Sequence, residues 1–365
     1  MKNIAIITYI RPDCSCGGIE DHNFELIKNI NKNEYNVYSI FSYNKTYDFP
    51  LEELKKYCTP IMVKCNLSEQ LPFLSMFKKL EFNLKLRHII KSYNFDIIQI
   101  NGDNGGLINS SNILYCAYGS TTFRKMVRYT RPIPFIKNLF GYLQSIYLEF
   151  LGLKKADQII IDNNSIYSLV QNFNKTAAVH LIYDIINLSE FKNYGNKNEI
   201  RRTLGLSCTT TYAIWVSSSG EKGIKDAIEC VADLKNTKLL IIGYKPQGIH
   251  KNAIYLGFKR RTELINYLNA SDYFLLPTRK QAIDLATIEA VSCGLIPILY
   301  RSAYGFLFNN DTAFLCDNIY DMKDITKQID KDKTILTIKQ FPSFMGDFET
   351  KNVVNSYMKI YNLFK

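Results

Sequence analysis

The fold of this chain is decided by two neighbouring segments, ASDYFLLP at residues 270–277 and QAIDLATIEAVSCGLIP at residues 281–297. The first is an apolar run that ends at a proline, which predicts a buried strand. In the second, Asp284 predicts the cap of an apolar helix that ends at Gly294. The apolar residues Leu295–Tyr300 then predict another strand. Strand, helix and strand in this order predict a β-α-β unit with two parallel strands.

The loop between the first of these strands and the helix is a predicted ligand site. Ligands bind open parallel sheets at the carboxyl ends of the strands, and N–H groups at a helix start attract phosphate. Here those groups belong to Leu285 and Ala286, and a capping Asp284 would compete with a phosphate for them, so both interpretations stay open. Glu289, alone on an apolar helix face, is expected as a buried carboxylate that binds hydroxyl groups. This combined chemistry predicts a pocket for a nucleotide sugar.

Length and composition indicate two domains and an anionic partner. The chain has 365 residues, which predicts two domains of about 150 residues each, and 47% of the residues are hydrophobic, enough for two cores. Its net charge of +11 favours a nucleotide diphosphate, an acidic membrane surface or nucleic acid. No nucleic-acid-binding motif accompanies the charge, so no nucleic-acid partner is expected. The nine Cys lack paired C-x-x-C spacing, so Cys14 and Cys16 are expected as free thiols and no zinc site is expected.

Residues 1–12 carry an apolar run that resembles part of a signal peptide. The run is short, Thr8 and Tyr9 interrupt it, and no small-residue cleavage site follows, so a first buried strand is the better interpretation. No apolar stretch approaches the roughly 20 residues that span a bilayer. We therefore expect a cytoplasmic protein, either soluble or peripheral at a membrane. No metal or other cofactor is expected, because no carboxylate cluster resembles a metal site.

Strand-like and helix-like segments alternate through both halves of the chain, which is typical of parallel sheets covered on both faces. The stretch 188–208 is rich in Asn, Lys and Gly, and it is expected as a hinge. The predicted organisation is a Rossmann-like domain at residues 1–187, a second one at 209–347 and a terminal helix at 348–365. The fold class is therefore α/β, with two doubly wound domains facing each other across a cleft.

The segment 270–297 resembles the signature of glycosyltransferase family 4, whose fold is called GT-B. In that family a Glu-x7-Glu pair brackets the sugar donor, and this chain has Gln281 at the first position and Glu289 at the second. The resemblance implies that Gln281 contacts the transferred sugar and that Glu289 binds the nucleotide ribose. The order of motifs follows the family over nearly the whole chain, most strongly in the carboxyl half.

Two motifs in the amino-terminal half fit the same resemblance. Gly17 and Gly18 follow the first strand and open a helix, where a phosphate can approach the backbone, although a plain strand-to-helix turn also explains them. The resemblance implies that this loop faces the donor phosphate and that Glu20 lies on the acceptor side. Tyr118 stands where the family has a His that contacts the donor sugar. It either offers a hydroxyl to the sugar or caps a buried strand.

The segment WVSSSGEKG at residues 215–223 resembles the family's Gly-Arg…Lys-Gly element. Lys222 is retained, whereas Ser218 stands at about the place of the arginine. The resemblance implies that Lys222 grips the donor diphosphate; a solvated lysine at a helix start is the alternative. The missing arginine is expected to weaken donor binding or slow transfer, because a charged hydrogen bond contributes about 1.5–3 kcal/mol.

Residues 123–140 mix basic side chains with aromatic and aliphatic ones, a composition that suits an anionic membrane interface. Pro132 and Pro134 interrupt any long helix through this segment, and a solvated basic surface is the alternative. Lipid-linked acceptors are common in the family, so the resemblance favours peripheral membrane contact here.

The resemblance implies a retaining glycosyltransferase of hexosyltransferase type, which moves a sugar from a nucleotide-diphosphate-sugar donor to a glycan, glycolipid or lipid-linked acceptor hydroxyl. The expected catalytic residues are Lys222, Gln281 and Glu289. The remaining site residues are Gly17, Gly18, Ser218, Asp284, Leu285 and Ala286 on the donor, with Glu20 and Tyr118 on the acceptor and sugar. The alternative is a non-catalytic GT-B protein that binds a nucleotide or a partner, because Tyr118, Ser218 and Gln281 depart from the family at the reactive end of the donor.

Overall fold

The structure is a computed structural model that describes residues 1–14, 18–43, 50–65, 77–117, 136–248, 250–279 and 283–364. The chain divides into two compact units, residues 1–185 with 347–365 and residues 186–346. The stretch 188–208 therefore lies in the second unit, and the last residues of the chain return to the first.

The first unit is built on a parallel sheet. Its described strands have the order β3-β2-β1-β4-β5-β6-β7. They are β1 (Lys2–Ile7), β2 (Tyr35–Ser42), β3 (Thr59–Val63), β4 (Ile97–Asn101), β5 (Ile113–Cys116), β6 (Gln158–Ile161) and β7 (Ala178–Leu181). The described helices between them are α1 (Gly18–Asn29), α2 (Glu52–Lys55), α3 (Lys78–Ser92), α4 (Ile136–Lys155) and α5 (Tyr167–Phe173).

The second unit repeats this plan. Its described strands have the order β10-β9-β8-β11-β12-β13 and are also parallel. They are β8 (Thr211–Ser217), β9 (Thr237–Gly243), β10 (Ala253–Gly257), β11 (Tyr273–Leu276), β12 (Ile296–Tyr300) and β13 (Phe314–Cys316). The described helices of this unit are α6 (Lys197–Thr203), α7 (Ile224–Val231), α8 (Arg261–Ala270), α9 (Leu285–Ser292), α10 (Arg301–Tyr304) and α11 (Ile319–Lys331).

The predicted fold class is confirmed: each unit is a doubly wound parallel sheet of Rossmann type. All four residues of β5 and of β11 are buried, which explains why both strands read as unbroken apolar runs in the sequence. One expectation was wrong, since Cys14 is disulfide-bonded rather than a free thiol. Cys16 lies outside the described residues.

The terminal helix α12 (Thr350–Tyr361) is joined to the first unit by a buried polar network around His22 of α1. His22 Nδ1 accepts the backbone N–H of Ile185 at 3.0 Å, so the neutral ring carries its proton on Nε2 and donates it to the Tyr357 hydroxyl, also at 3.0 Å. The Tyr361 hydroxyl donates to Gln99 of β4 at 2.5 Å. These bonds hold α12 against residues that are more than 150 positions away in the chain.

This network makes the stability of the protein depend on pH. Burial lowers the pKa of His22 to about 3, whereas the unfolded chain binds this proton near pH 6.5. Because the unfolded state binds the proton first, stability should fall as pH drops from 6.5 towards 3, by up to about 1.4 kcal/mol per pH unit. We expect His22→Gln to flatten the fall in the free energy of unfolding between pH 6.5 and 4.5, measured by urea titration. The same change at the exposed His88 should leave the slope as in wild type, and equal slopes for all three proteins would contradict this account.

Candidate functional site

The strand order of the second sheet reverses between β8 and β11. These strands are neighbours in the sheet, although 55 residues lie between Ser217 and Tyr273 in the sequence. The strands before this point lead outward to β10, and those after it lead outward to β13. Such a switch point leaves a crevice at the carboxyl ends of the two strands, where doubly wound sheets bind ligands. The two loops that begin there are the WVSSSGEKG segment and the segment after Pro277.

The loop after β8 is held by its own backbone and side chains. Ser217 Oγ accepts the N–H of Ser219 at 3.0 Å, and Ser219 Oγ accepts that of Glu221 at 3.3 Å. The indole of Trp215, which is fully buried, donates to the carbonyl of Lys222 at 3.2 Å. The backbone of Lys222 is therefore fixed directly to the core of the unit.

Gly223 brings the two loops together. Its φ is +81°, in the left-handed region, and a Cβ at this position would lie 2.0 Å from the carbonyl oxygen of Pro277. A side chain of any kind would therefore push apart the loops that follow β8 and β11. Lys222, immediately before this contact, is thereby placed next to the start of α9.

Lys222 forms an ion pair with Asp284, and Asp284 is in turn held by Tyr304. The ammonium of Lys222 contacts Asp284 Oδ1, while the Tyr304 hydroxyl donates to Asp284 Oδ2 at 2.7 Å. Burial, and after it the Asp284 charge, raise the pKa of Tyr304 well above its usual value, so its hydroxyl stays protonated and keeps donating. Lys222 and Asp284 each keep about a fifth of their side chain exposed, so a ligand can reach the pair.

The expectation that Asp284 caps the helix was wrong. Asp284 occupies the position before α9 with extended backbone angles, but its side chain makes no cap hydrogen bond. Its carboxylate is drawn instead towards Lys222 and Tyr304. The sequence left open whether Asp284 or a phosphate would bind the N–H groups of Leu285 and Ala286. The Asp284 side chain does not occupy them.

The remaining predicted site residues are distributed over both units. Glu289 is half-buried on α9 rather than fully buried as expected, and Ser218 is exposed directly after β8. In the first unit Gly18 begins α1 and Glu20 follows it, with a carboxyl pKa that burial raises. Three predicted residues lie outside the described residues, namely Gly17, Tyr118 and Gln281.

Two groups near this site were missed in the sequence. Tyr304 lies 20 positions after Asp284, and Arg279 contacts Asp226 and Tyr300. The signal that could have found them is topological, because Tyr300 ends β12 and Tyr304 follows within one turn at the same sheet edge. In the described ranges, no group of three or more His, Cys, Asp or Glu residues is arranged to hold a metal ion. Nor does any helix there have the length and apolar character needed to cross a membrane.

Removing the charge of Asp284 should strengthen diphosphate binding. An anion on the N–H groups of Leu285 and Ala286 would be repelled by the neighbouring Asp284 carboxylate, since two like unit charges about 4 Å apart repel by about 4 kcal/mol at an effective dielectric of about 20. We expect Asp284→Asn to lower the Kd for inorganic pyrophosphate about tenfold in calorimetric titration, because the repulsion is removed while Tyr304 can still donate to the amide oxygen. Asp324→Asn, on the exposed face of α11, changes the net charge equally and should have no effect. Weaker binding by Asp284→Asn would mean that the carboxylate orients Lys222 rather than competing with the ligand.

Two Rossmann-type parallel-sheet units in one chain are the components of the GT-B fold, and the full-length likeness to the solved structures below supports this fold class. Residues 196–333, which contain Lys222, Asp284 and Tyr304, match the protein family described as "Glycosyl transferases group 1". The match therefore covers the described site and leaves the first unit outside it.

Two relatives are glycosyltransferases or related synthases by name. N-acetyl-alpha-D-glucosaminyl L-malate synthase of Bacillus anthracis is 21% identical over 238 residues, which cover 58% of this chain and 60% of the relative. "Putative teichuronic acid biosynthesis glycosyltransferase TuaC" of Bacillus subtilis (strain 168) is 28% identical over 187 residues, which cover 47% of this chain and 48% of the relative. The chain thus spans about half to three fifths of the length of these relatives.

Solved structures resemble the chain over its full length. Sucrose-phosphate synthase from Thermosynechococcus elongatus superposes with a TM-score of 0.81 at 16% identity, covering 100% of this chain and 99% of the other. Anabaena Alr3699/HepE, solved in complex with UDP and glucose, superposes with a TM-score of 0.74 at 12% identity, covering 100% of both chains. At these identities the likeness establishes the fold.

Proposed function

We propose that the protein is a retaining glycosyltransferase of family 4 type that transfers a hexose from a nucleoside diphosphate sugar to an acceptor hydroxyl. The observation that carries this proposal is the position of Lys222. Its ammonium lies at the switch point of the second sheet, beside a helix start that the Asp284 side chain leaves uncapped. A cation next to helix-start N–H groups that the Asp284 side chain does not occupy suits a diphosphate at such a point.

The donor would bind mainly to the second unit. Lys222 and the N–H groups of Leu285 and Ala286 would hold the diphosphate, and Glu289, one turn further along α9, would bind the ribose. Gln281 and Tyr118 would contact the transferred sugar, while Gly17, Gly18 and Glu20 would face the donor phosphate and the acceptor. No metal or other cofactor is required in this scheme. The complex of HepE with UDP and glucose makes UDP the first nucleotide to test.

The main task of the protein in this reaction is to stabilise the leaving diphosphate. The bond between the anomeric carbon and the phosphate oxygen breaks, and the acceptor oxygen forms a new bond on the same face of the sugar. The acceptor proton passes to the leaving phosphate, so no dedicated protein base is needed. Negative charge grows on the diphosphate during this step, and a pre-positioned ammonium such as that of Lys222 stabilises the transition state more than the ground state.

The acceptor is proposed to be a glycan, glycolipid or lipid-linked sugar, reached by peripheral contact of residues 123–140 with the cytoplasmic face of a membrane. Most of that segment lies outside the described residues, but the helix that continues it, α4, is described. On α4 Leu143, Tyr147 and Phe150 recur at helical spacing, and each exposes more than a third of its side chain. Such an apolar stripe suits the boundary between lipid headgroups and acyl chains.

The test is a product assay on the full chain. UDP-, GDP- and ADP-sugars would be incubated with glycan and lipid-linked acceptors, and products would be identified by mass spectrometry and by the anomeric signals in NMR. The proposal predicts an acceptor heavier by one hexose, joined with the anomeric configuration of the donor. Nucleotide binding without any release of nucleoside diphosphate would contradict it and would favour a protein that only binds nucleotides. An inverted product would contradict the retaining mechanism alone.

A further inference from the structure

Arg279, two residues after Pro277, is held rigidly at the same edge of the second sheet. Its Nη1 forms an ion pair with Asp226 Oδ2 at 2.7 Å, and its Nη2 donates to the Tyr300 hydroxyl at 3.2 Å. The guanidinium also stacks over the Tyr300 ring, with its central carbon 4.8 Å from the ring centroid. The Tyr300 hydroxyl donates to Asp226 Oδ2 at 3.2 Å and closes the triangle.

This arrangement holds the guanidinium in place while leaving it open to a ligand. The Arg279 side chain is 64% exposed although three contacts hold it. Its hydrogen bonds to Asp226 and Tyr300 engage two of the five N–H donors of a guanidinium. An exposed ion pair of this kind contributes little to folding. Its main consequence is that an arginine fork is pre-organised at the sheet edge.

Arg279 and Lys222 extend from two loops that contact each other. Gly223, next to Lys222, is pressed against the backbone of Pro277, and Arg279 extends from the same loop two residues later. Asp226, which anchors Arg279, lies in the first turn of α7, four residues after Lys222. The two cations therefore belong to the two loops that meet at the switch point.

We infer that Arg279 is a second cationic ligand for the diphosphate of the donor and acts together with Lys222. This inference rests on the proposed function. Ser218, the residue after β8, is uncharged, and Arg279 supplies a guanidinium from the loop after the neighbouring strand β11. A planar fork can bind two phosphate oxygens at once, which a lysine ammonium cannot do with the same geometry.

The test compares ligands with and without phosphates. Calorimetric titrations of the full chain with UDP, inorganic pyrophosphate and uridine would be made for wild type, Arg279→Gln and Arg279→Lys. We expect Arg279→Gln to raise the Kd for UDP and for pyrophosphate about tenfold and to leave the Kd for uridine unchanged. Arg279→Lys should give intermediate Kd values for UDP and pyrophosphate. Arg202→Gln is the control, because this exposed arginine lies on α6, which leads into the amino end of β8.

Each outcome decides a separate question. If Arg279→Gln binds UDP and pyrophosphate as tightly as wild type while Lys222→Gln does not, the inference fails and the proposed function stands. If Arg279→Gln weakens the binding of uridine as much as that of UDP, Arg279 stabilises the loop rather than contacting the phosphates, and the inference also fails. If wild type binds none of UDP, GDP and ADP, the proposed function itself fails. Equal melting temperatures of the variants would show that the fold is retained.

Discussion

Lys222→Gln is expected to lower kcat/KM for sugar transfer by about 100-fold or more. The ammonium of Lys222 lies beside the start of α9, so in the proposed reaction it would be next to the charge that develops on the leaving diphosphate. Removing one pre-organised donor to developing charge costs roughly 3–4 kcal/mol in comparable sites, which corresponds to a 100- to 1000-fold loss. The measurement is steady-state kinetics of nucleoside diphosphate release with the donor identified by the product assay.

The division of this loss between kcat and KM is informative. Because the interaction strengthens in the transition state, kcat should fall more than KM rises. Lys225→Gln is the matched control, since Lys225 is an exposed lysine on α7 three residues further along the chain. A Lys222→Gln enzyme with kcat close to that of wild type would show that another group stabilises the leaving diphosphate.

Gly223→Ala is expected to lower the free energy of unfolding by about 3 kcal/mol or more and to abolish diphosphate binding. The new methyl group would sit 2.0 Å from the Pro277 carbonyl oxygen, so the two loops must separate, and the positive φ adds strain of about 1 kcal/mol. Both loops carry groups of the site, so their separation moves Lys222 away from α9. Urea denaturation and UDP titration would measure the two effects.

Gly205 offers a close control for this substitution. Its φ of +68° is similar, yet a Cβ there meets no atom within 4 Å. Gly205→Ala should therefore cost only about 1 kcal/mol and leave UDP binding unchanged. Equal losses of stability in the two variants would show that backbone strain, rather than the contact with Pro277, dominates at Gly223.

The sheets were predicted well from the sequence because each buried strand is a continuous run of apolar residues that is visible locally. The run predicted at Leu295–Tyr300 begins one residue before β12, and the run at residues 270–277 contains β11 but begins three residues before it. Both runs stand out because burial on both faces demands continuous apolar side chains. The short strand β13 and the helix α11 were not predicted. β13 is three residues long, too short for any periodicity to stand out.

The residues of the site that belong to local motifs were predicted from the sequence, whereas the contacts between them were not. Lys222 and Asp284 were recognised from local motifs, but their pairing was not, because it depends on which strands become neighbours in the sheet. The cap expected at Asp284 would be a local interaction. The Asp284 carboxylate instead accepts a hydrogen bond from the Tyr304 hydroxyl, 20 residues further along the chain. The contacts of His22 with Ile185 and Tyr357 were equally hidden, since they join residues from three distant parts of the chain.

A diphosphate site at Lys222 is tested most directly by calorimetric titration of the full chain with UDP, GDP and ADP, in wild type and in Lys222→Gln. We expect one of the three nucleotides to bind wild type with one site per chain and Lys222→Gln to weaken this binding at least tenfold. Absence of binding by all three nucleotides, or binding that Lys222→Gln leaves unchanged, would contradict a diphosphate site at the switch point of the second sheet.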